Sequence, residues 1–218
     1  YETCAGAFAA MLKRVPIVHL YGGEETEGAF DNVFRHAISK MSHLHFVANE
    51  VYARRLVAMG ENPEAVHIMG LLSLDLAARH KLPDRQDLES TLGIKLESPI
   101  FLVTLHSATL GESPDVEFSA LAGAMKPFTG TWIVTLPNAD PGGVDIRKYW
   151  EKVKGEIQDL HCYSALGEDR YLGLMKLAAV VIGNSSSGLT EAPFFGVPTV
   201  NIGDRQKGRL RSLSVIDV

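Results

Sequence analysis

The stretch Val180–Val200, VVIGNSSSGLTEAPFFGVPTV, decides the fold. An apolar run, Ala178–Ile182, ends at Gly183-Asn184. Three serines and Gly188 follow, then a helix-like segment carrying Glu191, a proline, a glycine and a second apolar run over Val197–Ile202. The order reads as strand, tight turn, helix N-terminus, strand. The first N–H groups of a helix lack intrahelical partners, so a turn that presents them beside serine hydroxyls suits an anion such as phosphate. The plainer reading is helix capping, for which one serine suffices; Ser185, Ser186 and Ser187 together with Gly188 weigh towards a ligand. Glu191, one turn on, either caps that turn or accepts hydrogen bonds from a ribose diol. Arg205, in GDRQKGR after the second run, is either a phosphate clamp or part of a solvated loop.

Upstream, the same alternation repeats. Residues 3–13 have helical spacing, and Val15–Leu20 reads as a short buried strand. Residues 29–41 carry a helical stripe of Phe30, Val33, Phe34, Ala37, Ile38 and Met41. A strand is expected over His43–Ala48, a helix over Val51–Met59 and a strand over Ala65–Met69. The looser stretch Leu71–Pro83 marks a boundary, giving domains at 1–75 and 76–218. Beyond it come a helix over Arg85–Leu92 closed by Gly93, a strand over Pro99–Leu105, a helix over Val116–Phe128 and a strand over Trp132–Leu136. A helix over Ile146–Lys154, a weak strand over Ile157–Tyr163 and a helix over Tyr171–Leu177 then lead into the opening stretch. Strand and helix alternating at this spacing define an α/β class with parallel sheets.

In open parallel sheets, ligands bind beyond the carboxyl ends of the strands. His106, at the end of the Pro99–Leu105 strand, is therefore a candidate functional residue, with a backbone-bonded core histidine as the alternative. The acidic loop after Leu20 places Glu24, Glu25 and Glu27 ahead of Asp31. Such carboxylates either complement a helix start or form an acid/base pair with separated pKa values.

Composition sets outer bounds. With 218 residues, 46% hydrophobic and 22% charged, the chain suits one or two globular domains. A net charge of −5 argues against a nucleic-acid partner. Cys4 and Cys162 make neither a disulfide framework nor a zinc site, which fits a reducing cytoplasm, and Cys4 reads as core. His43 and His45 lack the companions of a metal site. No apolar run has transmembrane length and no signal-peptide layout is present, so no membrane partner is expected.

Four segments together carry a resemblance: HLYGGEETEGAFDNVFRHAISKMSHLHFVA (19–48), TLHSATL (104–110), LPNAD (136–140) and GNSSSGLTEAPFFGVPTVNIGDRQKGR (183–209). They resemble the UDP-N-acetylglucosamine 2-epimerases, in particular the hydrolysing type of sialic-acid and legionaminic-acid biosynthesis. The resemblance runs over essentially the whole chain. It implies two Rossmann-like domains facing across a cleft, as in GT-B glycosyltransferases. It also implies a UDP-sugar substrate, no metal and no cofactor, and a homodimer or homotetramer at full length. By motif, Ser185 and Ser186 would bind the phosphates, Glu191 the ribose, and Arg205 and Asn138 would complete the pocket. His106 would sit by the departing diphosphate, while Asp31 and Glu24 would serve the proton steps on the sugar. The implied chemistry is removal of the C2 proton with loss of UDP, followed by hydration to free N-acetylmannosamine. Alternatives are a hydrolase of a UDP-linked 2,4-diacetamido-trideoxy sugar, a GT-B glycosyltransferase and a non-enzymatic nucleotide-sugar binder.

The sequence departs from the family pattern at three places. Some members carry a glutamate two residues after the histidine of the His19-Leu20-Tyr21-Gly22-Gly23 motif, where this chain has Tyr21; that role would fall to Glu24 or Glu27. The family also has βα units before the point matching Tyr1 and helices after the point matching Val218. The expectation is an internal fragment with an incomplete N-terminal domain, inactive by itself.

Overall fold

The computed structural model describes residues 1–26, 31–106, 114–137 and 143–218, without the side chains of residues 114–116 and 143. Two compact units emerge, Tyr1–Leu72 with Lys207–Arg209, and Ser73–Gln206 with Leu210–Val218.

The first unit holds α1 (Glu2–Leu12), β1 (Val18–Leu20), α2 (Asp31–Met41), β2 (Leu44–Val47), α3 (Glu50–Ala58) and β3 (Val66–Ile68). Its strands form a parallel sheet in the order β1-β2-β3. Helix α3 starts where the Asn49 side chain accepts the Tyr52 N–H at 3.1 Å, so a capping residue sets its register. Val47, Tyr52 and Leu56 form its buried centre. In place of the buried strand expected before Tyr21, only His19 of β1 is buried, with Val18 and Leu20 53% and 45% exposed; among the described residues β1 pairs with β2 alone. Cys4 is half-buried, not core; the buried residue of α1 is Ala7.

The looser stretch before Pro83 contains a helix, α4 (Leu72–Arg79). It is eight residues long and buries none of them, too short for a sustained periodic pattern to mark it in sequence. There follow α5 (Arg85–Leu92), β4 (Ile100–Thr104), α6 (Pro114–Met125), β5 (Thr131–Thr135), α7 (Gly143–Val153), β6 (Leu160–Tyr163), α8 (Glu168–Leu177), β7 (Val180–Gly183), α9 (Ser187–Phe194), β8 (Thr199–Asn201) and β9 (Val215–Asp217). Helix α5 carries a capping box between Asp84 and Asp87 and stops at Gly93, whose φ of 70° is the left-handed conformation that glycine adopts without strain.

The six strands run parallel in the order β6-β5-β4-β7-β8-β9. Counted within the unit this is 3-2-1-4-5-6, the doubly wound order. Both faces are covered, and this explains the unbroken apolar run of β4. Phe101, Val103 and Leu105 pack with α6 and α7 through Phe118, Met125, Ile146 and Trp150. Ile100 and Leu102 pack on the other side with Leu88, Leu174, Met175 and Ala192. The chain leaves the sheet centre in opposite directions after β4 and β7, so the crevice beyond the carboxyl ends of these two strands is the topological switch point.

Candidate functional site

The residues at the switch point are drawn together by a side chain that the sequence had shown only as a strand terminator. Asn184 follows β7 and is fully buried. Its Oδ1 accepts the His106 backbone N–H at 2.7 Å, and its Nδ2 donates to the His106 carbonyl, also at 2.7 Å. The Asn184 backbone carbonyl accepts from Arg205 Nη1 at 3.1 Å and from Gln206 Nε2 at 2.7 Å. One residue therefore fastens the segment after β4, the turn after β7 and the loop after β8.

The approach of β4 and β7 depends on Gly183. Its φ is +130°, and a Cβ there would lie 1.9 Å from the Thr104 carbonyl oxygen. The Asn184 N–H donates to that same oxygen at 3.0 Å. Gly188 has a packing role. A Cβ on it would lie 2.7 Å from Thr199 Cγ2, and its carbonyl accepts from Thr199 Oγ1 at 2.7 Å, so it lets α9 settle on β8.

Ser185, Ser186 and Ser187 are half-buried at the start of α9. Ser186 occupies the N-cap position but makes no side-chain cap bond. Capping falls instead to Ser185, whose Oγ accepts the Ser187 N–H at 3.4 Å and the Ser187 hydroxyl at 3.0 Å. Glu191 lies on α9 with its carboxylate hydrogen-bonded to the Thr190 hydroxyl. The structure thus brings His106, Ser185, Ser186 and Arg205 to the turns around Asn184, with Glu191 further along α9. Asn138 lies outside the described residues.

In the first unit, Glu24 and Asp31 line one cavity of about 240 Å³, with His19, Tyr21 and Arg35. Glu24 is mostly buried, and its Oε2 pairs with Arg209 Nη2 at 2.7 Å. Arg35 Nη1 donates to Asn32 Oδ1 at 3.0 Å and to the Glu24 carbonyl at 3.4 Å. Burial holds the Arg35 guanidinium below its usual pKa, against the nearby Glu24 charge and with the Arg209 charge. His19 is pushed down to about 4, first by burial and then by the neighbouring His45, Arg35 and His36; its Nδ1 lies 3.1 Å from Ser39 Oγ. It is therefore neutral at pH 7. Tyr21 adopts a left-handed φ of 65°, and its hydroxyl accepts the Leu72 N–H at 2.7 Å. Glu27 lies outside the described residues.

The model of the UDP-N-acetylglucosamine 2-epimerase family matches residues 1–218. The chain belongs to that family. Among similar family members is a Campylobacter jejuni protein named GDP/UDP-N,N'-diacetylbacillosamine 2-epimerase (hydrolyzing), 40% identical over 220 residues, covering 100% of this chain and 57% of the relative. Another is polysialic acid biosynthesis protein P7 of Escherichia coli, 39% identical, covering 100% of this chain and 56% of the relative. The chain thus spans little more than half the length of the curated relatives it matches. Among solved structures, the Methanocaldococcus jannaschii UDP-GlcNAc 2-epimerase in complex with UDP-GlcNAc and UDP superposes with a TM-score of 0.74 at 17% identity. The match covers 99% of this chain and 61% of that one, and it establishes the shared α/β fold. Among the described residues no helix is long and apolar enough to cross a membrane.

Proposed function

We propose that this chain carries the diphosphate grip and part of the acid–base machinery of a hydrolysing 2-epimerase acting on a UDP-linked 2-acetamido sugar, with UDP-N-acetylglucosamine the first substrate to test. The observation that carries the reading is the convergence of His106, Ser185, Ser186 and Arg205 at the switch point, organised by Asn184. A diphosphate leaving group needs its growing negative charge met by donors already in place. The serine hydroxyls at the start of α9 and the Arg205 guanidinium are such donors, and His106 is suited to stabilise or protonate the departing oxygen. Glu191 is assigned to the ribose hydroxyls.

The C2 proton of the sugar is weakly acidic, so its removal demands a positioned base acting as the C1–oxygen bond to UDP breaks. Asp31 is assigned to that proton chemistry. The Glu24 carboxylate is already engaged by Arg209, which suits it to holding the cavity in shape. Elimination gives UDP and a 2-acetamidoglucal. Water then adds its hydroxyl at C1 and a proton at C2, giving the free sugar with inverted C2 configuration.

The 40% identity to a relative named for N,N'-diacetylbacillosamine favours a second reading, in which the sugar is a UDP-linked 2,4-diacetamido-trideoxy hexose processed by the same steps. Incubating the intact protein with each sugar nucleotide and following products by NMR tests both. Release of UDP and a free 2-epimeric sugar is expected from one of the two. An epimer still attached to UDP, or turnover only when a sugar acceptor is added, refutes the hydrolysing reading.

A further inference from the structure

Beneath the serine turn lies a chain of hydroxyl groups. Tyr171, on α8, is half-buried overall with its hydroxyl end deep. The Tyr171 Oη lies 2.6 Å from Ser187 Oγ. Ser187 Oγ is in turn 3.0 Å from Ser185 Oγ. The chain thus runs from α8 to the first residue of α9 and ends on Ser185.

Its direction follows from which groups can only donate. A backbone N–H has no lone pair to offer, so Ser185 Oγ accepts the Ser187 N–H. The Ser187 hydroxyl donates to the same oxygen at 3.0 Å, which fills its second lone pair. Ser187 Oγ, having given its proton to Ser185, accepts from Tyr171. Burial raises the Tyr171 phenol above its ordinary pKa, so it keeps the proton this requires. Ser185 is left with donation alone. An anion is the acceptor that rewards this most, because hydrogen bonds to ionised acceptors are about twice as strong.

We propose that Tyr171, acting through Ser187, is a positioning residue that makes Ser185 a dedicated hydrogen-bond donor to the phosphate of the nucleotide. The inference rests on the diphosphate reading of the site. Donation along a chain of hydroxyls strengthens the terminal donor, so loss of the buried phenol weakens a contact it does not itself make.

The test is a double-mutant cycle on UDP affinity, measured by titration calorimetry with the intact protein. Ser185→Ala is expected to weaken UDP binding about 10- to 100-fold, the range for losing a bond to a charged group. Tyr171→Phe is expected to weaken it about 3- to 10-fold, the range for a neutral bond. In the Ser185→Ala background Tyr171→Phe is expected to add nothing, because its effect has no remaining route. Ser187→Ala leaves the tyrosine ring in place and repeats the cycle should the phenylalanine variant fold poorly. Losses that add independently, or variants that bind UDP as well as the wild type, overturn the inference. Wild-type protein that does not bind UDP overturns the diphosphate reading itself.

Discussion

Replacing Asn184 with alanine removes the amide that joins β4 to β7 at the switch point. The wild-type side chain meets both backbone groups of His106 at 2.7 Å, and only one orientation of the amide matches a donor and an acceptor at once. Alanine leaves that N–H and that carbonyl without this partner in a part-buried place. Each orphaned group costs about 1–3 kcal/mol. Partial access to water lowers the sum, and the expected loss is about 2–4 kcal/mol, a large share of the roughly 5–15 kcal/mol that holds a domain folded. The assay is urea unfolding followed by tryptophan fluorescence. The chain has two tryptophans, Trp132 and Trp150, both buried in the second unit, so the signal reports that unit. Binding of UDP should weaken in parallel, because the segment bearing His106 is no longer fixed to the serine turn. Asn184→Asp is the sharper companion. It keeps an acceptor for the His106 N–H but sets an oxygen against the His106 carbonyl, so it should lose stability and UDP affinity despite its matching shape. Stability within about 0.5 kcal/mol of wild type for Asn184→Ala, the range of an ordinary surface substitution, together with unchanged UDP affinity, would refute the argument.

Other outcomes follow from the same structure. Gly183→Ala places a Cβ 1.9 Å from the Thr104 carbonyl at a φ of +130°, so the strands must part; thermal melts should show a destabilisation of at least about 3 kcal/mol or no soluble protein. Gly188→Ala should cost about 1–3 kcal/mol in the same melts, because Thr199, tied to the Gly188 carbonyl, cannot turn aside freely. His19 gives a pH dependence. Its folded pKa of about 4 lies below the unfolded value of 6.5, so the unfolded chain binds more protons and stability falls as pH drops from about 6.5 to about 4. That term is worth about 2 kcal/mol between pH 7 and pH 5, and urea titrations of a His19→Gln variant at the two pH values, followed by far-UV circular dichroism so that the first unit is read, should lack it.

The central strands were legible in the sequence because the sheet is covered on both sides. β4 is apolar at every position but Thr104, β5 at its three central positions, and both are rich in β-branched and aromatic residues. β9 was not, for Val215–Asp217 is three residues long, with Ile216 63% exposed, and burial writes no pattern there. Among candidate site residues, Ser185, Ser186, Arg205 and His106 were signalled by chemistry-bearing side chains at strand ends. Asn184 and Tyr171 were not, although their signals existed. A polar residue directly after a strand-ending glycine has backbone groups on the adjacent strand within reach, and a tyrosine one helix before a serine cluster can place its hydroxyl beneath it. Both act through contacts between segments far apart in sequence, 78 residues in the case of Asn184 and His106, and no local periodicity encodes them. The reading of Gly188 changed for a related reason, since a glycine in a turn looks alike whether it admits a phosphate or a neighbouring strand.

Turnover of UDP-N-acetylglucosamine, or of the diacetamido sugar nucleotide, by the intact protein in deuterated water tests the central claim most directly. Elimination followed by hydration predicts free UDP together with a released 2-epimeric sugar bearing one deuterium at C2. Release of a sugar with hydrogen retained at C2 would contradict elimination, and an epimer still joined to UDP would contradict hydrolysis.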